Sequence, residues 1–276
     1  MSMQTCDSGG FGDEWKRDVW GAGDYARTAK QYLPMAARLA DAVGIEASDR
    51  VLDVGTGTGN LAIPAARAGA DVTGIDICTE LLETARARTE AVEVGDIAFD
   101  TGDAADLPYA DDTFDVTVSN VGHMYADPPM AAARELLRVT RPGGRVGFTA
   151  WTPMSLYPRM AGVALQHVPP TALPDYTEPP FMWGDVATVR DRLADDLVEL
   201  TTETREITYP TVAPTAFWDE TKETSGMFQK LVSSIDDAAR KELDADMVAV
   251  IDSAFDPSEN GIPLRYLEAI GTVETD

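Results

Sequence analysis

Val51-Leu52-Asp53-Val54 is an apolar run interrupted by one acid, and it opens directly onto Gly55-Thr56-Gly57-Thr58-Gly59-Asn60. Nothing else in the chain restricts the fold as strongly. An apolar run of this kind reads as a buried strand, three alternating glycines permit a tight turn, and Leu61-Ala62-Ile63 reads as a helix start. Glycine lets backbone N–H groups approach a ligand, and the helix start adds unpaired donors, so the unit predicts an α/β nucleotide-type site.

The segments that follow extend the unit. Apolar, β-rich stretches recur at Asp71–Ile75, Ile97–Phe99, Phe114–Ser119 and Arg145–Ala150, with helical patterns near 60–68, 79–90 and 128–139 between most of them. Strands and helices alternating at this spacing predict parallel βαβ units with right-handed crossovers. Residues 25–43 carry apolar positions at helical spacing and end at Gly44, which predicts a helix or helical pair ahead of the first strand. From Trp151 to Pro214 the chain is rich in proline and in large apolar side chains such as Met154, Tyr157, Met160, Phe181, Met182 and Trp183, so it should pack over something rather than act as a solvated linker. Leu197 to Tyr209 alternates like a strand, Phe217 to Phe255 is mostly helical, and Leu264 to Val273 can close the sheet. The expected fold is therefore α/β: a Rossmann-like, doubly wound, seven-stranded sheet in a single domain over 1–276. It would have a helical flap at 1–48, a cofactor-binding core at 49–152, and insertions after the fifth and sixth strands within 153–276.

Charge restricts the partners. The chain carries 47 acidic residues against 22 basic ones, a net of -25, and the acids are spread along its length. Such a surface is that of a solvated protein in a salt-rich cytoplasm, where ions screen its self-repulsion. It speaks against nucleic acid, whose phosphates require clustered Lys and Arg. Met1 to Gly10 has no secretory-signal pattern, and no apolar run approaches the roughly 18 residues of a membrane span. Cys6 and Cys78 are too few for a disulfide framework or a zinc site, and no metal is expected.

The glycines are spaced Gly55-x-Gly57-x-Gly59, one residue short of the dinucleotide fingerprint, which disfavours a nicotinamide cofactor. An acid at the end of the first strand, Asp53, suits a ligand with an ammonium group. Asp76 ends the second strand, where a carboxylate can accept both hydroxyls of a ribose. Gly102-Asp103-Ala104 then places another acceptor beside the same ligand.

These motifs resemble those of the class I S-adenosylmethionine-dependent methyltransferases, in the branch similar to ubiquinone and menaquinone biosynthesis C-methyltransferases. The resemblance runs in order through VLDVGTGTGN, VTGID, GDAADLPYADDTFDVTVSN and ELLRVTRPGGRVGFTAW, over roughly residues 25 to 152. It departs at Val54, where the family commonly has other residues, and it fades after Trp151. The resemblance implies that Asp53 meets the methionine amino group and that Gly55, Thr56, Gly57, Gly59 and Asn60 line the methionine and ribose. It implies that Asp76 binds the ribose hydroxyls with Ile77 against adenine, that Asp103 and the backbone of Ala104 meet the adenine edge, and that Asn120 and Val121 lie beside the sulfonium.

Methyl transfer from a sulfonium rests mainly on alignment, though a base helps at carbon or phenolic oxygen. His123, in Asn120-Val121-Gly122-His123-Met124-Tyr125 after the fourth strand, is one candidate base or orienting group, and Tyr125 is another. His167 is a further substrate contact to consider. Trp15, Trp20 and Tyr25 can close over the cofactor, where an aromatic face favours a positive sulfur. Phe217, Trp218, Met227 and Phe228, with the apolar insertion, suggest a small apolar or aromatic acceptor. A protein that binds the cofactor without transferring methyl is the alternative.

Overall fold

A computed structural model of the chain describes residues 13–170 and 176–275, apart from the side chains of 13–16. The first strand, β1 (Arg50–Val54), is followed by β2 (Asp71–Asp76), β3 (Ala98–Thr101), β4 (Phe114–Asn120) and β5 (Thr140–Trp151). These five are parallel; β7 (Gly261–Val273) adds antiparallel to β5, and β6 (Leu197–Pro210) pairs antiparallel with β7 and so runs in the direction of the first five, in the order β3-β2-β1-β4-β5-β7-β6. The doubly wound seven-stranded sheet is the one expected, with strand ends shifted by a few residues.

Helices α1 (Asp13–Gly21), α2 (Tyr25–Ala29) and α3 (Leu33–Val43) precede the sheet; the 25–43 pattern resolves into α2 and α3 with a short 3-10 turn between. Within the core units lie α4 (Ala62–Arg67), α5 (Thr79–Ala91) and α6 (Pro129–Val139). The proline-rich stretch contains α7 (Leu156–His167) and α8 (Val186–Leu193), and between β6 and β7 come α9 (Pro214–Thr224), α10 (Gly226–Ser233) and α11 (Asp237–Asp252). In α7 the buried residues Leu156, Met160 and Ala164 recur every four positions, a helical stripe that the surrounding prolines mask.

Side chains on β1 alternate between two apolar layers. Val51 packs with Leu39, Ala62 and Leu82 of α3, α4 and α5, whereas Leu52 and Val54 join Leu136, Val146 and Phe148 on the opposite face. β1 and β4 are neighbours, yet the chain leaves β1 toward β2, so a crevice opens beyond their carboxyl ends. Among the described residues no helix is long and apolar enough to cross a membrane.

Candidate active site

At the end of β1 the chain turns through Gly55, whose φ of 67 lies in the left-handed region. A Cβ there would stand 2.7 Å from the Cα of Gly122, so the loops after β1 and β4 touch backbone to backbone. Both residues must be glycine for that approach. The Gly55 N–H donates to the Ile75 carbonyl at 2.8 Å, and that of Gly57 donates to Asp76 Oδ2 at 2.8 Å, which ties the loop to the end of β2. On the β4 side, Ser119 Oγ donates to the Val54 carbonyl at 2.6 Å and accepts from the His123 N–H at 2.9 Å. Val121 follows with φ 69, an unfavourable conformation for a β-branched residue that these contacts impose.

A cavity of about 580 Å3 opens over this junction. Gly55, Gly57, Asp76 and Ile77 line one end of it, joined by Asp103 and Ala104 from the loop after β3. Asn120, Val121 and Tyr125 line it from the β4 side, and Trp20 and Tyr25 cover it from α1 and α2. Thr149 Oγ1 donates to Asn120 Oδ1 at 2.9 Å, which leaves the Asn120 amide NH2 for a ligand. Tyr25 packs edge-on to Trp20, with centroids 6.1 Å apart, and Trp20 packs on Tyr125 at 4.7 Å.

Other residues expected on the wall lie behind it. Thr56 is buried and donates to Asp53 Oδ2 at 2.7 Å, and Asn60 donates to the Ala29 carbonyl at 2.6 Å. Gly59, with φ 79, faces Ile63 and Ala85. These three shape the loop and do not line the cavity, because the turn directs only Gly55 and Gly57 outward. Arg88 of α5 braces the loop from beneath, donating to the Thr58 carbonyl at 2.6 Å and to Asn60 Oδ1 at 2.8 Å.

Asp53 also lies below the wall. Its Oδ2 accepts from Thr56 and from the Ala62 N–H, and its Oδ1 has no partner at all. Burial, reinforced by the nearby Asp76 charge, pushes its pKa up to about 7. Asp76 is raised as well, again by burial, against the pull of N–H donors from Cys78, Gly57 and Ile77. Two desolvated carboxyls with an unused oxygen favour a ligand that brings positive charge.

His123 does not occupy the position expected of a base. Its ring is fully buried between Phe148 and Trp183, with centroids 4.6 Å from each, and neither ring nitrogen has a hydrogen-bond partner. It is not part of the cavity wall, so it cannot reach an acceptor there. Burial, with the Arg192 charge adding to it, lowers its pKa to about 3. His167 is also elsewhere, with Nε2 2.8 Å from Asp246 Oδ2 of α11. Tyr125 does line the cavity, and burial holds its pKa well above the ordinary phenol value, so its hydroxyl stays protonated.

Of the apolar insertion residues, Tyr157, Phe181, Met227 and Phe228 reach the cavity, whereas Met160, Trp183, Phe217 and Trp218 are buried in the core and Met154 is exposed. The Trp15 side chain and Cys6 lie outside the described residues. Aromatic wall residues not singled out from the sequence are Tyr32, Trp151, Tyr176 and Tyr209. For Tyr32, Trp151 and Tyr209 the signal is an aromatic residue at or near the end of an element, which by itself does not reveal convergence.

The family described as "Methyltransferase domain" matches residues 52–148, the segment that builds this glycine loop and the β4 junction. An uncharacterized protein of Mycobacterium tuberculosis is 39% identical over 190 residues, covering 67% of this chain and 67% of its own length. The chain belongs to the class I S-adenosylmethionine-dependent methyltransferases. The demethylmenaquinone methyltransferase of Renibacterium salmoninarum is 42% identical to this enzyme over 106 residues, 38% of this chain and 43% of that protein. The crystal structure of the YcgJ protein of Bacillus subtilis shares the fold, with a TM-score of 0.56 at 17% identity over 88% of this chain and 99% of that one.

S-adenosylmethionine is the cofactor of this enzyme, and its site fits that group. The carboxylate of Asp76 on the wall, the buried carboxyl charge of Asp53 below it and the side-chain-free surface at Gly55 and Gly57 suit a ligand with an ammonium group, a sulfonium and a ribose.

Proposed function

We propose that this methyltransferase acts on a small apolar or aromatic molecule, methylating it at carbon or oxygen. The observation that carries the reading is that a single cavity is lined both by Gly55, Asp76 and Asp103 and by Tyr157, Phe181 and Phe228. Bound cofactor supplies a methyl group already activated on a sulfonium.

The remaining work belongs to the protein. Asp76 holds the ribose hydroxyls, Asp53 acts on the amino group through its charge from behind the Gly55 turn, Ile77, Asp103 and Ala104 hold the adenine, and Asn120 and Val121 flank the sulfur. The loop residues Thr56, Gly59 and Asn60 act by shaping the turn. Trp20 and Tyr25 cover the site and exclude water. Tyr125, kept protonated by its burial, orients the acceptor rather than removing a proton from it. Holding two reactants in line in this way is worth up to roughly 7–11 kcal/mol. The dispersed acidity supports a salt-rich cytoplasmic setting and a partner other than nucleic acid.

The test is incubation of the protein, at high salt, with methyl-labelled cofactor and a small-molecule extract. Label should appear in a neutral, organic-extractable product. Label found only in phosphorylated or cationic products would overturn the acceptor class, and titration showing affinity for NAD but not S-adenosylhomocysteine would overturn the cofactor roles of these residues.

A further inference from the structure

Six of the eight tyrosines in the chain line one cavity. Three of them, Tyr32, Tyr157 and Tyr209, stand close together on its wall with Trp151. Their rings pack as a box: Tyr32 on Trp151 at 5.3 Å, Trp151 on Tyr157 at 5.3 Å, and Tyr209 on Phe217 at 4.9 Å. Within it, the hydroxyls of Tyr32 and Tyr157 meet at 2.5 Å.

The hydrogen-bond count around them singles out that pair. Thr28 donates to Thr224 Oγ1 at 2.7 Å, and Thr224 donates to the Glu220 carbonyl at 2.9 Å, so both threonine protons are already used. The Tyr209 hydroxyl faces Thr28 and Glu220. Two phenols bonded to each other use only one of their two protons. The Tyr32–Tyr157 pair therefore keeps one O–H donor, together with free lone pairs, inside an aromatic box. Among the described residues the cavity wall contains no Lys, Arg or His, and its two carboxylates are Asp76, at the end of β2, and Asp103, after β3. Arg27, the cation near Tyr209, lies off the wall and is paired with Glu220 and Glu223, so a phosphate or carboxylate on the acceptor would find no free cation on this wall, and burying such a charge unpaired is costly.

We propose that the Tyr32–Tyr157 hydroxyl pair is the acceptor-recognition subsite, taking an uncharged carbonyl or hydroxyl oxygen on an aromatic or otherwise apolar acceptor. This rests on the methyltransferase reading of the cavity and narrows its substrate class. The oxygen completes the hydroxyl chain by accepting the remaining proton, while the rings of Trp151 and Tyr157 cover the acceptor's apolar body. Tyr32, Tyr157 and Tyr209 all stay protonated at neutral pH, because burial raises each above the ordinary phenol value.

The experiment is calorimetric titration of the S-adenosylhomocysteine-loaded protein with 2-naphthol, naphthalene, 2-naphthoate and 2-naphthyltrimethylammonium. Naphthol should bind about tenfold more tightly than naphthalene, the gain from one hydrogen bond, and more tightly than either charged probe. In the double variant Tyr32→Phe/Tyr157→Phe that preference over naphthalene should vanish, while affinity for naphthalene and for S-adenosylhomocysteine is kept. Those two retained affinities also report that the variant is folded. Equal or tighter binding of naphthoate or the quaternary ammonium, no saturable binding of naphthol, or an undiminished naphthol preference in the double variant would each overturn the proposal. Failure of the wild-type protein to bind S-adenosylhomocysteine would instead count against the cofactor roles, and the same probe series on the unloaded protein still tests the subsite.

Discussion

Replacing His123 by Met separates a buried structural histidine from a catalytic one. At neutral pH the substitution removes two ring nitrogens that are buried without partners, each relieving about 1–3 kcal/mol. It also loses the ring packing against Phe148 and Trp183, about 0.5–1.5 kcal/mol per aromatic pair. The relief, about 2–6 kcal/mol for the two nitrogens, exceeds the loss of about 1–3 kcal/mol for the two pairs, so the variant should be at least as stable as wild type at pH 7. The pH dependence should differ sharply. His123 has a native pKa lowered to about 3 against 6.5 in the unfolded chain. Between those values the unfolded state binds a proton that the native state refuses, so acidification from pH 7 toward 3 withdraws stability. By pH 5 the loss is about 2 kcal/mol, from 1.36 kcal/mol per pH unit below 6.5. Asp53 works in the opposite direction: its native pKa of about 7 means that the native state takes up the proton first, and stability rises as pH falls toward 3.8. Because Asp53 is present in both proteins, the difference between them isolates His123. Urea unfolding followed by fluorescence of the five tryptophans, at fixed salt from pH 7 to 5, should show the variant gaining about 2 kcal/mol over wild type. Methyl transfer should persist. Parallel pH curves, or loss of transfer with cofactor affinity intact, would refute the buried, neutral, noncatalytic assignment.

Gly55→Ala should weaken S-adenosylhomocysteine binding by more than tenfold, since left-handed backbone costs a non-glycine residue about 1–2 kcal/mol and the new Cβ meets the Gly122 backbone; unchanged affinity by calorimetry would contradict this. Arg88→Met removes a charged donor from the Thr58 carbonyl and from Asn60, a hydrogen-bond loss of about 1.5–3 kcal/mol, and should lower both the melting temperature and cofactor affinity although Arg88 lies outside the cavity. The wild-type melting temperature should climb as KCl is raised to about 1 M, where the screening length has fallen to about 3 Å and carboxylate repulsion is damped. A flat or falling profile would remove the link between acidity and a salt-rich host.

The fold was legible because its signals are local. The buried apolar run of β1, the glycines after it and the buried helix faces each depend on neighbours a few positions away. The seven strands follow from those signals. Boundaries shifted where tertiary pairing lengthened a strand, as at β5, which begins at Thr140 because Thr140 pairs with Phe114. In the proline-rich stretch, α7 was hidden, since its helical stripe is short and the flanking prolines argue against regular structure.

The site was legible at its cofactor end for the same reason: Asp76, Asp103 and Asn120 end or follow strands, and parallel strands bring their carboxyl ends together. His123 follows β4 just as Asn120 does, so its position along the chain offered no means of telling them apart. What separates them is Trp183, carried over from the insertion to cover the imidazole, while Asn120 remains on the wall.

Local pattern thus determines the sheet, the glycine turn and the donor-side acids, because strand periodicity and glycine's backbone freedom operate over a few residues. The acceptor end belongs to long-range folding. Tyr32 and Tyr157 lie 125 positions apart, and their hydroxyls meet only because α7 returns across the end of the sheet. Which aromatic side chains become core and which become wall is then a matter of packing between distant segments.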